Sequence, residues 1–414
     1  MNNFLKKFNI VYLVYFFFLI TFPGSGNQNF SNNLICLIII LFFILVVNLS
    51  FLFFPNDYLK TTNISVEITP KKIKIFTIIS ALGLMSFMFD RIFLLGIDYK
   101  TSFASVRYQL IEITENTSSK GVKSIFSLMG NILIPFAFWN LILLLKNEYR
   151  SINKRFYIIV NSLIVVISSL LFGGRTNILL YLLIIVIFKP KKKKSTSSLK
   201  VHLMNSFGVY LLFFLIGYVF FDRVAANDAI AVEYLVNMLH SLRGDLNYDF
   251  YTMLQGLNPI WSTLFSVLLM IDAYFVHSFW VFSDILNQDN QGIIFGQNYI
   301  AILSKFDLMD PPKDPSTAGL FIGLPGGIYY DYGYLGLCFL FIVIFCLIKF
   351  INLCFYSKYP FFNLGFVILT CLQTIFLASP FIIISDIYMF PAFVFTGIIY
   401  SYFISKKKYA NRSN

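Results

Sequence analysis

The sequence predicts an all-α polytopic membrane protein with about ten transmembrane helices, which form a single integral membrane domain over residues 1–414. The composition points to this class, because 58% of the residues are hydrophobic and only 13% are charged. Soluble domains carry roughly a quarter charged residues, so this chain lies far outside their range. The apolar residues also gather into segments of about 20 residues, the length that crosses the hydrocarbon core of a bilayer.

Ten segments approach this length and are predicted to span the membrane. They cover residues 8–23, 33–54, 73–95, 125–145, 156–173, 175–189, 203–221, 334–351, 361–379 and 387–404. A further apolar segment, residues 260–282, is long enough to cross but contains Asp272 and His277. An eleventh span would move the C-terminal lysines to the outer side, so we expect this segment to dip into the membrane or to lie at its interface.

The distribution of charge predicts the orientation of the chain. With both termini in the cytoplasm, the cytoplasmic segments hold 22 of the 32 Lys and Arg residues but only 3 of the 20 Asp and Glu residues. The longest basic run, residues 189–194, directly follows an apolar segment. Such a run is typical of a cytoplasmic anchor, so the positive net charge does not indicate nucleic-acid binding.

Two long segments remain on the predicted outer side: residues 96–124 and a large loop over residues 222–333. The sequence contains no nucleotide-binding glycine-rich loop, no internal repeat and no metal-ligand spacing of His and Cys. We therefore expect any chemistry to take place on the outer face, without a metal or other cofactor.

The large outer loop contains a predicted amphipathic helix that starts after residues 227–228 and stops at Gly244. One face is an apolar stripe of Ala231, Tyr234, Leu235, Met238, Leu239 and Leu242. The opposite face carries a polar set of Glu233, Asn237, His240 and Arg243. We expect this helix to lie on the membrane with the polar set facing water. His240 and Arg243, followed by Asp245, are suited to proton transfer and anion binding, although an ordinary solvated face gives the same pattern.

The end of the large loop is rich in Pro, Gly and Tyr. The prolines and glycines between residues 311 and 327 predict an interrupted backbone rather than a continuous helix. Four tyrosines then surround Asp331: Tyr329, Tyr330, Tyr332 and Tyr334. Aromatic rings with hydroxyl groups suit a membrane interface and equally suit sugar rings, so both interpretations stay open.

Among the cations on the outer side, Arg175 is the hardest to explain by local pairing. Arg91 follows Asp90 and Arg223 follows Asp222, so a local ion pair accounts for each of them. Arg175 follows two glycines between two predicted spans and has no acidic neighbour in the sequence. The glycines allow a tight turn, which would raise this guanidinium to the outer interface.

Taken together, these features resemble the Wzy-type polymerases of O-antigen and capsule repeat units. The resemblance lies in the Phe-, Ile- and Leu-rich spans, in Gly173-Gly174-Arg175 between two central helices, in one large late periplasmic loop, and in GLPGGIYYDYGYLG at residues 323–336. It implies a multi-pass protein of the bacterial inner membrane. It also implies that the enzyme transfers a glycan from undecaprenyl diphosphate to the non-reducing hydroxyl of another lipid-linked repeat unit.

The resemblance also implies roles for the candidate residues. Three arginines would bind the donor diphosphate and form the diphosphate cradle: Arg175, Arg223 and Arg243. The general base would be one of His240, Asp245, Glu233 and Asp331. Four tyrosines would line the glycan groove: Tyr248, Tyr329, Tyr330 and Tyr332. The lipid diphosphate already activates the donor sugar, so no cofactor is implied. The implied partners are undecaprenyl-diphosphate-linked oligosaccharides, the lipid bilayer and, as an option, a chain-length regulator protein.

Three other functions fit parts of the sequence. An O-antigen ligase would use the same donor and would transfer the glycan to lipid A core. A lipid-linked oligosaccharide flippase would have short loops on both sides and ionisable residues within its spans. A membrane protein with a purely structural role would use none of the candidate residues.

Overall fold

The fold is described from a computed structural model. The described residues are 2–26, 30–52, 70–101, 105–106, 109, 124–145, 153–172, 176–188, 231–286, 323–356, 361–380 and 389–405. Within them, the chain is helical except for two short strands and the connecting turns. The elements are α1 Asn2–Thr21, β1 Gly24–Gly26, α2 Phe30–Leu52, α3 Pro70–Phe89, α4 Ile125–Leu133, α5 Pro135–Leu145, α6 Lys154–Phe172, α7 Thr176–Phe188, α8 Ala231–Ser241, β2 Gly244–Leu246, α9 Tyr248–Gly256, α10 Pro259–Ile285, α11 Leu324–Tyr356, α12 Phe361–Ala378 and α13 Met389–Ser405.

Six helical segments are long and apolar enough to cross a membrane. They are Phe4–Thr21, Phe30–Leu52, Pro70–Leu94, Ile125–Leu145, Lys154–Leu171 and Tyr332–Cys354. All six coincide with predicted spans, which confirms a helical protein of the membrane-spanning class. The predicted spans at residues 175–189, 361–379 and 387–404 contain shorter helices, and residues 203–221 lie outside the described part of the chain. The total of about ten spans therefore stays a prediction.

The apolar segment at residues 260–282 lies within helix α10, which is bent. The two halves of the helix, Pro259–Ala273 and Phe275–Asp284, meet at an angle of 55°, as in a broken span or a re-entrant element. Asp272 lies beside the bend and is partly exposed. A re-entrant element fits the expectation of a segment that dips into the membrane, whereas a broken span would be an additional crossing, so the expectation stays a prediction.

One group of helices is organised around α3, which packs against α4, α5 and α6. Two glycines allow the close crossing of α3 and α4. A Cβ atom at Gly83 would lie 2.6 Å from Cβ of Leu133, and one at Gly130 would lie 2.8 Å from Cβ of Phe87. Small residues at such crossings let two backbones approach each other within a membrane.

A buried polar network holds this group together. The amide nitrogen of Asn140 on α5 donates to the Thr77 hydroxyl on α3 at 3.1 Å and lies 3.3 Å from the Asn161 carbonyl oxygen on α6. The Tyr400 hydroxyl on α13 donates to the Asn140 carbonyl oxygen at 3.1 Å. Four helices are thus joined through one buried side chain, whose polar atoms find partners within the protein.

A second polar contact lies where α12 ends. The Ser379 carbonyl accepts a hydrogen bond from the Leu324 amide at 3.1 Å, and the next carbonyl, that of Pro380, accepts one from the Ser278 hydroxyl at 2.7 Å. The Ser278 hydroxyl also lies 3.2 Å from the Tyr15 hydroxyl on α1. The ends of α11 and α12 are therefore fixed against α1 and α10.

The expectation of an interrupted backbone up to residue 327 is wrong for its last part, since α11 begins at Leu324. Pro325 lies in the first helical turn, where a proline costs no backbone hydrogen bond. The interruption comes later, at Gly333, whose backbone is non-helical with φ 61° and ψ −152°. A positive φ of this kind is readily accessible to glycine, so the break falls at a residue that accommodates it.

We predict that Asn140→Ala lowers the free energy of unfolding by about 1–2 kcal/mol, because it leaves the buried Tyr400 hydroxyl without its acceptor. Reversible unfolding in detergent micelles measures this loss. Asn131→Ala is the matched control, since Asn131 is half-buried on α4 and bonds locally to the Ser127 carbonyl. Equal stability of the two variants would contradict a linking role for Asn140.

Candidate functional site

The predicted amphipathic helix is confirmed as α8 from Ala231 to Ser241; residues 227–230 lie outside the described part. Its apolar stripe is buried, with Leu235 and Leu239 fully enclosed, while Glu233, Asn237 and His240 are exposed. The helix packs against α10. The expectation of a helix resting on lipid is therefore corrected, because the stripe is covered by another part of the same chain.

The chain reverses directly after α8 and brings Asp245 back to His240. The backbone of Arg243 makes this turn with φ 62°, a left-handed conformation that is uncommon for a residue with a side chain. Nε2 of His240 then lies 3.3 Å from Oδ1 of Asp245, and each side chain is 56% exposed. The same carboxylate oxygen accepts a hydrogen bond from the Leu246 amide at 2.9 Å, which fixes its position.

A two-stranded ribbon fixes Asp245 from the other side. Strand β1 pairs with β2 in antiparallel fashion, with Ser25 opposite Asp245 and Gly26 opposite Gly244. The Asn247 amide extends the contact by donating to the Pro23 carbonyl at 3.0 Å. The turn between α1 and α2 thus helps to position a candidate catalytic carboxylate more than 200 residues later in the chain.

The ribbon rests on the indole of Trp280 in α10. A Cβ atom at Gly26 would lie 2.9 Å from this ring, and one at Gly244 would lie closer still. Phe22 packs edge-on against the same indole at a centroid distance of 5.0 Å. Glycine is therefore required at both positions by the close approach of the strands to the ring.

Arg243 faces the last turn of α10. Its Nε lies 3.6 Å from Oδ2 of Asp284, with the arginine side chain 37% exposed and the aspartate 17% exposed. The candidate phosphate-binding cation nearest to His240 in the chain is therefore paired with a carboxylate and remains partly exposed. Arg175 and Arg223, the other two predicted members of the diphosphate cradle, lie outside the described residues.

The remaining candidates lie at different levels of burial. Glu233 is exposed on α8 about two turns before His240, so a helix rise of about 10 Å separates them along the axis. Tyr248 is 74% exposed and Tyr332 is 59% exposed, whereas Tyr329 is only 6% exposed. Tyr330 and Asp331 belong to helix α11, and their side chains lie outside the described part of the structure.

Tyr329 also contacts the last turns of α10. Its ring lies 6.0 Å from that of Phe282 and 5.1 Å from that of Tyr334. Burial, together with the neighbouring Tyr334, raises the pKa of Tyr329. Three residues in the last turns of α10 therefore contact different parts of the candidate site. Trp280 supports the ribbon, Phe282 packs against Tyr329, and Asp284 pairs with Arg243.

Sequence reasoning missed the roles of Ser25, Trp280 and Asp284. The pairing of β1 with β2 has no local signal, since its two halves are short and far apart in the chain. Asp284 lies two residues beyond the apolar segment at residues 260–282. Its spacing from Arg243 gives no indication of an ion pair, because the contact depends on how α8 packs against α10.

A second polar cluster lies at the end of α3, where a π-helical turn, Asp90–Leu94, follows the α-helix. The predicted local ion pair is present, with Nε of Arg91 3.7 Å from Oδ2 of Asp90. The Ser124 hydroxyl bonds to Oδ1 of the same carboxylate and also caps α4 by accepting from the Ser127 amide at 3.1 Å. Asp90 is 2% exposed, so the carboxylate of this pair lies inside the protein, whereas 17% of the Arg91 side chain is exposed.

Tyr99 connects this cluster to α6, since its hydroxyl donates to the Leu171 carbonyl at 2.9 Å. Burial raises the pKa of Tyr99 to about 12, with Arg91 acting in the opposite direction and Asp90 adding to the rise. The phenol therefore stays protonated and can keep donating to the last turn of α6. In the sequence, Gly173, Gly174 and Arg175 follow directly after this helix.

Comparison with protein-family models, with curated proteins and with solved structures finds no match for this chain. Among the described residues, no group of three or more His, Cys, Asp or Glu side chains could hold a metal ion. The arrangement available for chemistry is thus an exposed imidazole oriented by a carboxylate, with a partly paired guanidinium nearby in the chain. Such a set can accept a proton and bind an anion.

We predict that Gly244→Ala displaces the ribbon, because its Cβ would overlap the Trp280 ring, at a cost of about 1–3 kcal/mol. Faster amide hydrogen exchange at residues 24–26 and 244–246 would report the displacement. Gly256→Ala is the matched control, since a Cβ there meets nothing within 4 Å. Unchanged exchange in Gly244→Ala would show that the ribbon does not depend on this contact.

Proposed function

We propose that this chain is a membrane glycosyltransferase that polymerises oligosaccharide repeat units carried on undecaprenyl diphosphate. In this proposal, it forms O-antigen or capsule polysaccharide on the periplasmic face of the bacterial inner membrane. The observation that carries the proposal is the exposed His240–Asp245 pair, with 3.3 Å between Nε2 and Oδ1. The resemblance in sequence and the long apolar helices add to its support.

The pair is suited to removing a proton from an acceptor hydroxyl. With Nε2 directed at Asp245, Nδ1 of the imidazole is the ring nitrogen that can take the proton. The acceptor oxygen attacks the anomeric carbon of the donor sugar, the bond from that carbon to the diphosphate oxygen breaks, and the lipid diphosphate leaves with the bonding electrons. The hydroxyl proton passes to Nδ1, and Asp245 stabilises the imidazolium that results.

The leaving group needs cations, and Arg243 is the described candidate. A guanidinium can bind two phosphate oxygens at once through its planar fork. Asp284 lies 3.6 Å from Nε and keeps the side chain beside the turn, while the exposed fraction of 37% leaves access from solvent. In the proposal, Arg175 and Arg223 complete the cradle, as the resemblance implies.

A lipid-linked oligosaccharide flippase is the second candidate function. The observation in its favour is the 55° bend between the two halves of α10, because discontinuous helices are typical of secondary transporters. A flippase would not need a general base. The two functions therefore differ in what they predict for variants of His240 and Asp245.

We predict that His240→Gln lowers polymerisation by about 10²–10⁴-fold, the usual contribution of a general base, and that Asp245→Asn lowers it by a smaller factor. The measurement is glycan chain length in a polymerase-null strain that expresses each variant at equal membrane level. An O-antigen ligase would instead restore the attachment of glycan to lipid A core in a ligase-null strain.

Two neighbouring variants are the controls for this experiment. Asn237→Ala alters an exposed residue on the same face of α8, and Asp249→Asn neutralises an exposed carboxylate at the start of α9. Both are expected to give wild-type chain lengths. Full-length chains from His240→Gln would rule out His240 as the base, and wild-type protein that restores translocation but not polymerisation would favour the flippase.

We predict that Arg175→Ala lowers polymerisation by about 10²–10³-fold, as expected for removing one contact to developing negative charge. Arg175→Lys should recover only part of this loss, because an ammonium group cannot form the bidentate contact. Chain length in the same complementation strain measures both effects. Long chains from Arg175→Ala would remove this residue from the proposed diphosphate cradle.

A further inference from the structure

Arg91 is a cation held partly inside the protein at the end of an apolar helix. It lies in the π-helical turn that ends the apolar segment Pro70–Leu94, and the end of a membrane-spanning helix is where lipid headgroups are expected. Its guanidinium carbon lies 4.9 Å from the centre of the Phe87 ring, and 17% of its side chain is exposed. π-helical turns within α-helices are rare and are frequent at functional sites.

The surrounding residues fix the guanidinium without using all of its hydrogen-bonding capacity. Asp90 is held by the Ser124 hydroxyl and lies 3.7 Å from Nε of Arg91, which is beyond hydrogen-bond distance. Within the part of the chain that the structure describes, this buried Nε has no hydrogen-bond acceptor. A buried donor without an acceptor is costly, but this Nε is enclosed, so a ligand would reach the guanidinium through the part of the side chain that is exposed.

The chemistry of this position favours a phosphate or diphosphate group. Arginine binds phosphate oxygens in pairs, and a cation shielded from water interacts more strongly with an anion than one in solvent. Lys100 is exposed in the turn after Tyr99, where its backbone amide donates a hydrogen bond to the Asp98 carboxylate at 2.9 Å. The site also lies beside the last turn of α6 through the Tyr99–Leu171 hydrogen bond.

Polymerisation uses two lipid diphosphates, one on the donor and one on the acceptor. The donor diphosphate leaves from the reacting carbon, close to Arg243, which follows His240 by three residues. The acceptor reacts at its non-reducing end, and its own diphosphate therefore lies a whole repeat unit away. Arg91 and His240 are carried by elements with different packing partners, since α3 packs against α4, α5 and α6, whereas α8 packs against β2, α9 and α10.

We propose that Arg91 forms a second diphosphate site, which holds the acceptor lipid while the His240–Asp245 pair acts at the far end of its glycan. The assignment to the acceptor rests on the proposed function, whereas the presence of a diphosphate site does not. Asp90 and Ser124 are positioning residues in this proposal, because they orient Arg91 and do not touch the ligand.

Direct binding tests the site without requiring turnover. The full chain in nanodiscs of zwitterionic lipid is titrated with farnesyl diphosphate and, separately, with inorganic pyrophosphate by calorimetry. We expect Arg91→Ala to weaken one class of site by about tenfold or more, the usual effect of losing a charged hydrogen bond. A stronger signal from farnesyl diphosphate would identify a lipid-linked ligand, and equal signals would identify a general phosphate site.

Two further variants make the result decisive. Arg155→Ala removes an exposed arginine at the opposite end of α6 and should bind as wild type. Arg91→Lys keeps the charge beside Asp90 but lacks the planar fork, so we expect a several-fold loss with an unchanged unfolding temperature. If Arg91→Ala does not fold, Arg91→Lys decides, and wild-type binding by either folded Arg91 variant would overturn the proposal.

A kinetic measurement separates this inference from the proposed function. With donor and acceptor varied independently, Arg91→Ala should raise KM for the acceptor and leave kcat and KM for the donor unchanged. Loss of diphosphate binding in a chain that shows no polymerisation would support the site and reject the proposed function. A rise in KM for the donor alone would overturn the assignment to the acceptor.

Discussion

The contact between the Trp280 indole and the backbone of the two-stranded ribbon is the interaction on which the candidate site depends. Gly26 and Gly244 approach the ring so closely that neither position has room for a side chain. The ring thereby fixes the position of β2 relative to α10, and β2 places Asp245 next to His240. A change in the packing around Trp280 would therefore shift β2 and alter the distance between the exposed side chains of His240 and Asp245.

The sequence was sufficient to predict those elements whose signal is local. Hydrophobic length predicted the long helices, and helical periodicity predicted which face of α8 is buried. The nearness of His240 and Asp245 is also local, because the chain reverses at Arg243, next to the helix stop predicted at Gly244, and brings residues five positions apart together. Periodicity could not predict whether lipid or α10 covers the apolar stripe, because both are apolar.

The parts that could not be predicted depend on contacts between distant segments. The ribbon joins residues 24–26 to residues 244–246, and neither segment has the alternating pattern of a typical strand. Likewise, Asp90 and Arg91 are adjacent and predict an ion pair, but their burial depends on Ser124 and on the close crossing at Gly83 and Gly130. Their placement inside the protein, rather than their pairing, is what makes Arg91 a candidate ligand-binding residue.

The conformation of Arg243 gives a physical reason to connect the turn with anion binding. A left-handed backbone costs a residue with a side chain on the order of 1–3 kcal/mol, and glycine would adopt it without strain. Glycine is already present at the next position, yet this position carries a cation whose Nε lies 3.6 Å from Asp284. Because the ribbon on one side and α10 on the other both constrain the turn, its strain is balanced by contacts that also orient the guanidinium. In the proposed mechanism, a cation held in this way, three residues after the imidazole, would let proton transfer and the departure of the diphosphate take place at one site.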